Sequence, residues 1–253
     1  MTVTPAIDLE CVAVRRGTTL AAVDLTIQVS TGERVAIVGP SGAGKTTLLD
    51  VMGTVLTPTA GHVRVLGEDV CRLRSADLRS LRRRIGVVAQ RPPLAGPLRV
   101  IHQVNAGRLA RWSTPRALWS LVRPSGIAGA TDALEALGVA HTLWSRADEL
   151  SGGERQRVAL ARLLVQDVEL VLVDEPVAGL DPARSSDVIR LLSEVVAPGR
   201  TLVCSLHQFE LARSAFDRVI GLRGGRVVFD EAAGQVGPDH AAALYDLGKT
   251  IPR

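Results

Sequence analysis

The stretch Arg34-Val35-Ala36-Ile37-Val38-Gly39-Pro40-Ser41-Gly42-Ala43-Gly44-Lys45-Thr46-Thr47 decides the architecture. Its apolar run, Val35 to Val38, has the composition of a strand buried on both faces, as in a parallel sheet. Directly after it, Gly39 to Thr46 fits the pattern G-x-x-x-x-G-K-[ST], and a helical pattern follows Gly44. Glycine lets the backbone wrap closely, so that successive N–H groups at a helix N-terminus point at phosphate oxygens. Gly39, Pro40, Ser41, Gly42, Ala43, Gly44, Lys45, Thr46 and Thr47 are therefore the candidate phosphate contacts. Lys45 supplies a compact ammonium that reaches the β- and γ-phosphates, and the Thr46 hydroxyl is placed to hold Mg²⁺. The chain has 28 arginines and only two lysines, Lys45 and Lys249. Lysine at position 45 fits a site that wants a point charge rather than a planar fork.

Working outward, Leu170 to Val173, Thr201 to Ser205 and Arg218 to Leu222 are further buried-strand candidates. Helical patterns lie after Gly44, Gly152 and Pro182, and this alternation predicts a doubly wound α/β fold. Between Arg91 and Glu149 the content of Pro, Trp and Arg rises and the strand pattern disappears. The expected organisation is a core of residues 1–90 and 157–233, an inserted helical subdomain at 91–156, and a peripheral helix or tail at 234–253.

The strand Leu170–Val173 runs straight into Asp174-Glu175-Pro176. Open α/β sheets bind ligands at the carboxyl ends of their strands, where these two carboxylates fall. Asp174 is placed to bind Mg²⁺ directly or through water, and Glu175 to polarise an attacking water as general base.

A further segment, Leu150-Ser151-Gly152-Gly153-Glu154-Arg155-Gln156, resembles the signature of the ABC ATPases and stands just before the acidic strand. The resemblance spans nearly the whole chain: Gln90 ends the strand Ile85–Ala89 where that family has its Q-loop. Ala178-Gly179-Leu180-Asp181 resembles its D-loop, and His207 follows Thr201–Ser205 as its switch histidine does. The resemblance implies a P-loop ABC-type nucleotide-binding domain that binds ATP and Mg²⁺ and works as a homodimer or with a paired ATPase subunit. In that family Ser151, Gly152 and Gly153 meet the γ-phosphate held by the other subunit. His207 contacts the γ-phosphate, and Gln90 senses Mg²⁺ or the attacking water and couples to the membrane subunit. A Ser-Gly-Gly helix start, with a hydroxyl and bare N–H groups, has the chemistry to meet an anion.

One position departs from the family. ABC ATPases stack adenine on an aromatic side chain after the first strand, and the matching residue here is Arg16; no Phe, Trp or Tyr precedes Trp112. Two readings stand: the guanidinium stacks on the base, or it is solvated and the adenine grip is weak.

Several segments are similar to the phosphonate-importer ATPases, among them Val104–Leu109, Arg146–Glu149, Ser205–Ala212 and Asp217–Arg223. This implies permease subunits as partners, a substrate-binding protein as an indirect one, and a place on the cytoplasmic face of the membrane. Alternatives are another ABC importer or an exporter, a soluble ABC ATPase, and a binding module without catalysis. Composition agrees with a peripheral role: 46% hydrophobic residues give a core, yet no run approaches the roughly 18 apolar residues of a membrane span. Met1–Glu10 has no basic n-region, so no signal peptide is expected. Cys11, Cys71 and Cys204 show no CxxC pairing, which argues against a disulfide framework or zinc site. Net charge is +4. In the dense run Arg72, Arg74, Arg79, Arg82, Arg83 and Arg84 the arginines are interspersed with Leu and Asp, which favours a solvated helix face over a nucleic-acid patch.

Overall fold

A computed structural model describes residues 4–17, 19–90, 92–177, 182–195 and 199–245. The chain begins with β1 (Ile7–Arg16), β2 (Thr19–Val29), β3 (Arg34–Val38) and α1 (Lys45–Met52), then β4 (Ala60–Val65), β5 (Glu68–Asp69), α2 (Ser75–Arg83) and β6 (Ile85–Val88). Four helices follow: α3 (Val100–Asn105), α4 (Thr114–Val122), α5 (Ile127–Ala136) and α6 (Gly152–Leu164). The remainder is β7 (Leu170–Asp174), α7 (Pro182–Val195), β8 (Thr201–Leu206), α8 (Phe209–Ala215), β9 (Arg218–Arg223), β10 (Arg226–Ala232) and α9 (Pro238–Tyr245).

Two sheets form. The larger has the order β10-β9-β3-β8-β7-β6 and is parallel except for the edge strand β10. The smaller, β2-β1-β4-β5, is wholly antiparallel and is a departure from the doubly wound expectation. In a strand, neighbouring side chains point to opposite faces. Val35, Ile37, Leu170, Leu172 and Val203 thus pack with Leu48, Val51 and Met52 of α1 and with Leu9, Leu25 and Ile27 of the small sheet. Ala36, Val38, Val171, Val173, Leu202 and Cys204 pack on the other side with Ile101, Leu134, Val158 and Ile189. α1 is consequently clamped between two sheets, and α3, α5 and α6 share one continuous core with the opposite face.

Of the stretch 234–253, residues 234–245 are described, and they pack on the core. Val236 and Leu244 are buried in the same layer as the sheet face, and Arg223 Nη1 donates to the Ala243 carbonyl at 2.8 Å. The arginine run is partly tied down: Arg82 donates to Thr54 Oγ1 and O at 3.1 and 2.6 Å, and Arg84 pairs with Glu169 at 2.6 Å. Among the described residues no helix is long and apolar enough to cross a membrane.

Candidate active site

The phosphate loop joins β3 to α1. Gly42 (φ 79°) and Gly44 (φ 103°) occupy the left-handed region, which a side chain resists. At Gly44 an added Cβ would also come within 2.6 Å of the Ala21 carbonyl oxygen, so the backbone of β2 sets how close the loop lies. The N-terminus of α1 has no side-chain cap, leaving its first N–H groups for a ligand.

Around this loop lies a cavity of about 500 Å³ lined by Ser41 to Thr47, Leu20, Ala21, Gln90, Glu175, His207, Gly224 and Gly225. Lys45 is buried and donates from Nζ to the carbonyls of Gly39 (2.9 Å) and Pro40 (3.3 Å). Its ammonium is also 3.4 Å from Glu175 Oε1. The Thr46 hydroxyl donates to Asp174 Oδ2 at 2.8 Å. Two hard oxygen groups thus meet beneath the loop, a donor set suited to Mg²⁺. Asp174 ends β7 and Glu175 follows it with φ 48°, an uncommon conformation for a residue with a Cβ. The carboxylate of Glu175 receives the Gln90 side-chain amide at 2.6 Å and lies 2.5 Å from His207 Nε2.

Glu175, His207, Gln90, Lys45, Thr46 and Asp174 therefore converge, although they come from four places in the chain. Ser205, which sequence reasoning missed, holds the acidic pair. It is fully buried on β8, donates to Asp174 Oδ1 at 2.5 Å and accepts from the Glu175 N–H at 3.0 Å. A hydroxyl interrupting the apolar run that follows Thr201, two residues before His207, is the one signal that could have found it. Leu20, Ala21, Gly224 and Gly225 are also wall residues with no motif to mark them.

Ser151 caps α6, its Oγ accepting from the Glu154 N–H (3.3 Å) while the Glu154 carboxylate accepts from Ser151 N (2.9 Å) and Oγ (2.7 Å). These bonds from Ser151, with one from His141, hold the Glu154 carboxyl down to about 2. Among the described residues Ser151, Gly152 and Gly153 do not line the Lys45 cavity. The Arg16 side chain and the segment 178–181 lie outside the described residues; the Arg16 backbone pairs with Thr19.

A mixed sheet that delivers a phosphate loop, a hydroxyl and two carboxylates to one cavity defines a P-loop nucleotide-binding ATPase domain. The model of the ABC transporter family matches residues 22–178, and the chain belongs to that family. Similar proteins include Phosphonates import ATP-binding protein PhnC 1 of Pseudomonas syringae pv. syringae, 46% identical over 93% of this chain and 89% of that protein. Phosphonates import ATP-binding protein PhnC 2 of Pseudomonas aeruginosa is 48% identical over 89% of this chain and 85% of its own length. Among solved structures, a dimeric post-hydrolysis state of the ATP-binding cassette MJ0796, bound to ADP and Pi, superposes with a TM-score of 0.77 at 27% identity. It covers 90% of this chain and 98% of that one. The dimeric bacterial ABC transporter cassette MJ0796 gives 0.78 at 28% identity, with the same coverage.

Proposed function

We propose that this chain is the ATP-hydrolysing subunit of a phosphonate importer and that it acts as one half of a nucleotide-sandwich dimer. The observation that carries the dimer is the separation of Lys45 from Ser151. The cavity around Lys45 is built on one side only, and the helix start suited to a γ-phosphate lies elsewhere on the same chain. A second copy, turned head to tail, brings Ser151, Gly152 and Gly153 to the open side. The similarity to phosphonate import proteins supports the cargo class, and membrane association on the cytoplasmic side follows from a permease partner. The substrate-binding protein and permease select the cargo.

In the proposed mechanism the α1 N-terminus and Lys45 hold the β- and γ-phosphates. Thr46 and Asp174, with Gln90 as a further contact, hold Mg²⁺, which when bound neutralises charge on the phosphates. Glu175 takes a proton from water as the water oxygen bonds to the γ-phosphorus, and the bond from that phosphorus to the bridging oxygen breaks. Without nucleotide, Glu175 is engaged by Gln90, His207 and Lys45. A γ-phosphate competes for Lys45 and His207 and releases a carboxylate oxygen to accept the proton. His207 then steadies the γ-phosphate. The core of 1–90 and 157–233 carries these groups. The insertion of 91–156 couples them to the permease through a groove lined by Val87, Val88, Pro92, Pro93, Leu94 and Leu163.

Size exclusion of Glu175→Gln with and without ATP tests the scheme. A dimer that forms only with ATP is the expected result; monomer under both conditions overturns it.

A further inference from the structure

Helix α4 is built inside out. Its small residues, Ala117 and Ser120, face the protein, and the Ser120 hydroxyl donates back to the Ala117 carbonyl at 2.7 Å. Its large apolar residues face water: Leu118 and Trp119 are 63% exposed, Leu121 53% and Val122 79%. Four such side chains in nine residues form a contiguous apolar ridge of the kind that marks an interaction surface.

Along the sequence, the charge on either side of the ridge has one sign, although Arg111 pairs with Asp167. From residue 78 to residue 131 the chain contains ten arginines and no Asp or Glu, although the whole chain has 26 acidic residues. Arg116 lies over the Trp112 ring, 4.9 Å from its centroid, and Arg123 follows the last turn of α4. An outward apolar face with tryptophan, flanked by arginine, matches a helix lying in a membrane interface: apolar side chains enter the acyl boundary and guanidinium groups meet anionic headgroups. A second copy docked by the same face would set arginine against arginine, which disfavours self-association there.

We propose that α4 is an interfacial helix that rests Leu118, Trp119, Leu121 and Val122 on an anionic bilayer surface. This rests on the membrane-side placement proposed above, but lipid contact is a separate property. A vesicle assay uses no nucleotide, so its failure leaves the ATPase reading standing, and a failed dimer test leaves this proposal untouched.

The experiment is cosedimentation of the full chain with vesicles of equimolar phosphatidylglycerol and phosphatidylcholine, or of phosphatidylcholine alone. The wild type should bind the anionic vesicles roughly tenfold better than the neutral ones, with the difference shrinking at high salt. The triple variant L118S/W119S/V122S should lose about tenfold in binding, since it removes the inserted surface. Arg116→Glu with Arg123→Glu should abolish the preference for anionic lipid. Both variants change exposed residues outside the nucleotide site, so unchanged ATP hydrolysis certifies their fold. Equal binding by wild type and triple variant, or no binding by the wild type, overturns the proposal. So does a ridge-dependent dimer without lipid, or ridge-dependent capture of a permease in detergent without vesicle binding.

Discussion

The Ser205 hydroxyl orients Asp174 and anchors the backbone of Glu175, so both acidic groups depend on it. Ser205→Ala should leave buried polar groups short of a partner, costing about 1–3 kcal/mol of stability, and should slow hydrolysis as well. Thermal melting and phosphate release on the same preparation check this; unchanged turnover would restrict Ser205 to a structural part. Ser151 separates the two effects differently. Ser151→Ala removes a cap worth about 1 kcal/mol, whereas Ser151→Asn keeps a capping side chain at nearly the same stability. Both should lose most of the turnover, because neither presents a hydroxyl to the phosphate. Lys45, Thr46, Asp174 and Glu175 were legible because each sits in a contiguous pattern whose spacing encodes the chemistry. Ser205 was not legible, since its partners are set by strand register: Asp174 is opposite Ser205 only because β7 and β8 align.

At the scale of elements, the five strands of the large sheet that the sequence revealed are those with unbroken apolar runs. The antiparallel sheet escaped notice because its alternation is interrupted. In β1 the inward residues Ile7 and Leu9 are followed by Val12 and Val14, a change of phase at Cys11, whose φ is 50°. In β2 the same happens between Ala22 and Leu25, at Asp24 with φ 53°. Each irregularity shifts the side-chain period by one and hides the strand from pattern counting. The start of α6 carries a pH dependence. The Glu154 carboxyl is lowered from 4.5 to about 2, so its support for the helix is present above 4.5 and is lost as pH falls toward 2. An acid titration by circular dichroism should show this component in the wild type and lack it in Glu154→Gln. At the other end of the chain, α9 reaches the site: Tyr245 Oη donates to the His207 carbonyl at 3.2 Å. Tyr245→Phe should lower the hydrolysis rate several-fold while costing no more than about 1 kcal/mol, as expected for one exposed hydrogen bond that positions a loop. An unchanged rate would show that α9 and the His207 loop are not coupled.

Over the whole molecule, the nucleotide should act as a structural component. At a concentration a hundred times its Kd, ATP stabilises a folded protein by about 2.7 kcal/mol, which for a chain of this size raises Tm by roughly 5–10 °C. Removing divalent cations with a chelator should reduce that rise, because Thr46 and Asp174 would then have no ion to share with the phosphates. A melt in ATP that is insensitive to the chelator would count against the metal assignment. The large sheet, the inserted helices and the ATPase class were readable from sequence because local runs and motifs carry them. The packing of α1 between two sheets was not, since it depends on contacts between residues far apart in the chain. The open-sided cavity also bears on how defects combine. Under the proposed pairing, Lys45→Ala spoils only the loop of its own copy, and Ser151→Ala spoils only the face lent to its neighbour. Blending these two silent proteins should restore about a quarter of the normal rate, since half of randomly assorted pairs are mixed and each of those regains one sound pocket.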